Sequence, residues 1–176
     1  MANLSSRLES ELQRMEEGAP ADAKPDGVGI VRFLVRCPSG AEHVLERAKS
    51  ALEKVDVAAL QGWPLNENAT PKLPAWFTAV CSADISAEQA RQWLAWWQSL
   101  PPDEQARAER EKGWSLHNWL YWMEPNNRQW FWWDAMVSKD YEHIALEIEV
   151  EAWPFPWGSL RWLFRAAGAS AVEAEE

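Results

Sequence analysis

Leu4, Leu8, Leu12 and Met15 recur at helical spacing and predict a helix over residues 3–17, with Gly18 as a left-handed stop. Pro20 and Pro25 mark 19–27 as a linker, so this first helix is expected to dock loosely. Over 28–37 the pattern changes to strict alternation: Val31, Phe33, Val35 and Cys37 on one face, Arg32 and Arg36 on the other, which predicts a strand. Ser39-Gly40-Ala41-Glu42 then reads as a capping box. The helix it opens turns Ala41, Val44, Leu45, Ala48 and Leu52 inward. Pro64, Pro71 and Pro74 keep 56–74 irregular, and 75–83 is expected to be a second strand. A second capping box, Ser86 to Gln89, opens a helix with Ala90, Trp93, Leu94 and Trp97 inward. Pro101-Pro102 ends it, a charged helix runs from Asp103 to Lys112, and a short one from Ser115 buries Leu116, Trp119, Leu120 and Met123.

Two further alternating segments, 128–137 and 143–152, are joined by Ser138-Lys139-Asp140-Tyr141, a connection short enough to require antiparallel pairing. Phe131, Trp133, Ala135 and Val137 form an apolar face on the first, leaving Arg128, Trp130, Trp132 and Asp134 on the other. On the second, Ile144, Leu146, Ile148 and Val150 alternate with Glu147, Glu149 and Glu151. Pairing Trp132 with Glu147, Trp130 with Glu149 and Arg128 with Glu151 gains a salt bridge, whereas a slide by two residues opposes Asp134 to Glu147. In either register two indoles stand beside three carboxylates, on a face turned away from the core. A last helix over 159–167 buries Leu160, Leu163, Phe164 and Ala167, and 169–176 reads as an acidic, solvated tail. The pattern predicts an α+β fold: a mixed, mainly antiparallel sheet of about four strands with helices mainly on one face. The organisation expected is a helix and linker over 1–27, one domain over 28–168, and the tail.

Composition sharpens this picture. The 176 residues carry 17 Lys and Arg against 27 Asp and Glu, a net charge of −10, which argues against unaided binding to a phosphate backbone. Fourteen residues are tryptophan, and twelve of those lie beyond residue 90. Cys37 and Cys81 are too few for a disulfide framework. No secretory signal or membrane-spanning run is visible, so a cytoplasmic location is expected, with no membrane or nucleic-acid partner. His43, His117 and His143 fall on three separate elements, giving no metal-ligand pair and no cofactor motif. Glu147 and Glu149 have the spacing of a glycosidase pair, yet neighbouring positions on one strand cannot flank a substrate bond.

Indole and carboxylate together suit a basic protein partner, because tryptophan is enriched at interface hot spots and carboxylates speed a cation's approach. The expected contacts are Trp130, Trp132, Glu147, Glu149 and Glu151. In Gly62-Trp63, Gly113-Trp114, Trp132-Trp133-Asp134 and Pro156-Trp157-Gly158 the chain resembles the immunity proteins of bacterial polymorphic toxin systems, small acidic inhibitors often rich in tryptophan. That resemblance implies a non-enzymatic inhibitor of a toxin, commonly a nuclease with a basic cleft. The alternative is a ligand-binding domain for a sugar or an aromatic or cationic metabolite, weakly enzymatic or not, its pocket lined by Trp96, Trp122, Trp153 and Trp157.

Overall fold

The computed structural model describes residues 3–175. Its element order is α1 (Leu4–Glu17), β1 (Gly29–Arg36), α2 (Ala41–Leu60), α3 (Ala75–Val80), α4 (Ala87–Gln98), α5 (Pro102–Glu111), α6 (Leu116–Met123), β2 (Trp130–Val137), β3 (His143–Val150), α7 (Gly158–Ala167) and β4 (Ala171–Ala174). The strands form one four-stranded sheet in the order β2-β3-β1-β4, antiparallel at every pairing. It is an α+β fold in which α2 and α7 cover the inner face through Phe33, Val35, Ile144, Leu146, Ile148 and Val172.

Four sequence expectations are corrected. Residues 75–80 are the helix α3, which buries Phe77, rather than a strand. The fourth strand comes instead from the tail, where Val172 completes the inner face and β4 pairs with β1. Ser39 does not cap α2; Gly40 takes the N-cap position and offers no side-chain bond. The capping box at Ser86 does form, with Gln89 returning the bond, but α4 buries no residue at all.

The linker expectation also changes, because α1 is fastened to the sheet. Strand β2 lies at the sheet edge, where outward backbone groups lack a strand partner. Side chains supply one. The Trp132 N–H donates to Glu11, Arg14 Nε donates to the Trp132 carbonyl at 3.1 Å, and Arg128 Nε donates to the Trp130 carbonyl at 2.9 Å. Arg128 also donates to Glu11 at 2.5 Å and to Asp56 of α2 at 2.7 Å, with all three side chains excluded from solvent. One guanidinium thus ties the first helix, the second helix and the edge strand together.

Candidate functional site

The C-terminal hairpin is where the largest correction falls. Trp130 opposes Val150 and Trp132 opposes Ile148, after which Asp134 opposes Glu147. Trp133 is the extra residue of a β-bulge, and a bulge shifts the inside–outside alternation by one. The inner face therefore reads Trp130, Trp132, Ala135, Val137. Both indoles are buried, Trp130 at 1% and Trp132 at 0% exposure. Trp130 Nε1 donates to Ser159 Oγ at 2.9 Å, and Trp132 stacks on Phe164 with 6.2 Å between centroids.

The three glutamates belong to the opposite side, so indoles and carboxylates do not share a surface. Nor are those carboxylates free. Glu147 pairs with Arg32 at 2.9 Å and Glu151 with Arg7. Glu149 is 1% exposed, accepting from Arg7 at 2.9 Å and from the Gly27 N–H at 2.7 Å. Arg7 lies 3.7 Å over the Phe131 ring and Arg14 lies 4.7 Å from that of Trp133. Glu149 and Glu151 thus fasten α1 and its linker to the outer face of the sheet, while Glu147 links β3 to β1. The Asp134–Glu147 opposition is relieved because Glu147 turns to Arg32 and Asp134 accepts from the Ala135 N–H at 2.8 Å.

Of the four tryptophans of the alternative pocket, Trp153 and Trp157 belong to one aromatic cluster through Phe155 and Phe33, while Trp96 and Trp122 lie against other neighbours. Trp96 touches Trp93, Trp122 meets Tyr121 edge-on, Trp153 leans on Phe155, and Trp157 packs on Phe33. Among the described residues no group of three His, Cys, Asp or Glu is placed to hold a metal ion. Both cysteines are free thiols; burial pushes the Cys37 thiol up to about 11 and raises that of Cys81, so neither carries an activated thiolate.

Acidic charge without a partner gathers elsewhere. The C-terminal halves of α1 and α2 enclose a groove of about 700 Å³ with Leu12, Met15 and Val57 as its apolar floor. Glu16, Glu17 and Glu53 stand on its rim, and Lys49 is the one cation. Glu16 and Glu17 have no ion-pair partner among the described residues, and Glu53 has only exposed Lys54 at 3.8 Å. Both α1 glutamates sit in the helix's last turn, where a carboxylate opposes the macrodipole at a cost of about 0.3–1 kcal/mol. Glu17 accepts from Gln13 one turn back at 2.9 Å, which offsets part of that cost, and Glu16 has no such contact among the described residues. Nothing in the sequence pattern singled this groove out, although Leu12 and Met15 on the α1 stripe, with two glutamates directly following, carried a signal for it.

No family model, curated protein or solved structure matches this chain. No helix among the described residues is long and apolar enough to cross a membrane.

Proposed function

We propose that this chain is a non-enzymatic binding protein that neutralises a basic protein, in the manner of the immunity proteins it resembles, through the groove between α1 and α2. The observation that carries this reading is the pairing of an apolar floor with a rim of three glutamates facing one lysine. Long basic side chains match that arrangement: their methylene stems cover the apolar floor while the charged heads reach the carboxylates. The net charge of −10 speeds encounter with such a partner and makes it sensitive to salt. This moves the contact surface from the hairpin to the side of α1 that faces α2, and the hairpin residues become its support.

The test is titration calorimetry against a basic protein, where a neighbouring reading frame encodes one. Glu16→Lys combined with Glu53→Lys is expected to weaken binding by at least about tenfold, each factor of ten being about 1.4 kcal/mol. A neighbouring product that does not bind, or an affinity unchanged by both reversals, contradicts the proposal.

A further inference from the structure

We infer that the cleft between the α4–α5 pair and α7 binds a small aromatic anion, a single ring bearing one carboxylate or phosphate. This site is separate from the α1–α2 groove and independent of the reading given to it. The cleft has a volume of about 200 Å³, and the indoles of Trp93, Trp114 and Trp162 line it. A cavity of about 150 Å³ with apolar walls accepts benzene, so this space suits one ring and a polar substituent.

Charge selects the substituent. Lys112, Arg161 and Arg165 also line the cleft against one carboxylate, Glu109, so cations are in excess in a chain whose overall charge is −10. Lys112 Nζ is 3.8 Å from the Trp93 ring centre, which places a charge at the edge of an aromatic wall. Arg161 stacks 4.2 Å from the Trp157 ring, and its Nε is buried without a hydrogen-bond partner. Burial lowers the Arg161 pKa, with Glu109 opposing, so this guanidinium is held partly stripped of water. A buried donor with no acceptor is costly, and a small shift of the Arg161 side chain toward an anion in the cleft would relieve it.

The backbone fixes one wall of the cleft. A Cβ at Gly158 would come within 2.8 Å of the Trp114 ring, so only glycine lets that indole lie against the start of α7. Trp157, the N-cap of α7, gives its first turn no side-chain bond, and the positive end of that helix adds to the field. A sugar would meet more cation here than its hydroxyls need. A cationic metabolite would be repelled.

The experiment records indole Nε1–H signals of the full ¹⁵N-labelled chain during titration with four single-ring probes: 4-hydroxybenzoate, phenyl phosphate, benzyl alcohol and benzylamine. At least one anion should shift the Trp93 and Trp114 signals saturably at millimolar concentration or below; the tighter of the two distinguishes carboxylate from phosphate. Neutral and cationic rings should bind at least about tenfold more weakly, the scale of one lost charge-assisted contact. Lys112→Met, at the rim, and Arg161→Met should each lower the anion's affinity by at least about tenfold while the amide spectrum stays native. Met136→Ala, on the outer face of the sheet, should leave it unchanged. No saturable shift with either anion at ten times that concentration overturns the inference. So does an equal response to benzylamine, or a natively folded Lys112→Met chain that binds as the wild type does; in those cases the cations serve only to fasten α4–α5 to the body.

Discussion

The tryptophans of β2 and those of α4 look alike in sequence and have opposite fates in the fold. Trp130 and Trp132 are sealed between the sheet and α7, with a serine bond for one indole and a stacked phenylalanine for the other. Trp93, Trp96 and Trp97 stand on a helix that buries none of its residues, and Trp96 keeps 51% of its surface in water. The contrast comes from what faces each element rather than from its own pattern. Strand β2 is held on three sides by β3, α1 and α7. Helix α4 has α5 as its main neighbour, joined to it by the mutual bonds between Trp97 and Gln105. Amphipathic spacing alone therefore does not tell a core helix from one whose apolar side remains available.

The sharpest way to break this contrast is truncation on each side. Trp132→Ala should cost about 3–5 kcal/mol in urea unfolding, the range for emptying a buried aromatic site. Trp96→Ala should stay within about 0.5 kcal/mol of wild type. Equal effects would mean that α4 is packed more firmly than its exposure indicates.

The charged contacts divide in the same way. Arg128 sits between two carboxylates with no access to solvent, so Arg128→Met leaves Glu11 and Asp56 uncompensated and should cost about 3–5 kcal/mol. The pair of Arg32 with Glu147 is exposed, and Arg32→Met should cost less than about 1 kcal/mol. A small loss at Arg128 would show that α1 is not fastened through it.

Acid–base behaviour refines that point. Burial raises the carboxyl pKa of Glu11 and raises that of Asp56 well above its usual range, with Arg128 opposing in both and Glu11 adding to the rise at Asp56. The free oxygens Glu11 Oε2 and Asp56 Oδ2 have no donor, and a proton held between the two carboxyls supplies one. The folded state then binds more protons than the unfolded chain, so this cluster's stabilisation is complete below the ordinary carboxylate range and is lost as pH rises through the raised values. Urea midpoints measured from pH 4 upward should fall with pH, and Asp56→Asn should flatten the decline. A midpoint that rises over that interval would contradict the shared proton.

Much of this fold was legible where period and punctuation agree. β1, β3 and α7 follow from clean alternation or an unbroken apolar stripe, the β2–β3 hairpin from its short connection, and α4 and α6 begin at their serine caps. The losses have physical reasons. Ala75–Val80 is a short apolar run, which periodicity cannot assign to helix or strand. β4 is a short edge strand with Glu173 facing out, and so resembles a solvated tail. The bulge was hidden because Trp130 to Trp133 are four aromatic residues in succession, leaving no alternation in which a slipped register would show. That single hidden residue moved both indoles from the surface to the core. Arg7, Glu11 and Arg14 did leave a trace, since charges spaced by four and then three share one helical stripe with Leu8 and Met15, which is unusual for a helix facing water.

The recognition surface proposed above is the acidic groove of α1 and α2, with the hairpin as its support. The decisive measurement is calorimetric titration of a basic protein, where a neighbouring reading frame encodes one, into wild type and into the Glu16→Lys, Glu53→Lys chain at low and at high salt. The wild type should bind tightly and with salt sensitivity, and the reversal should cost at least about tenfold and remove most of that sensitivity. Equal affinities for the two chains across both salt conditions would contradict the proposal.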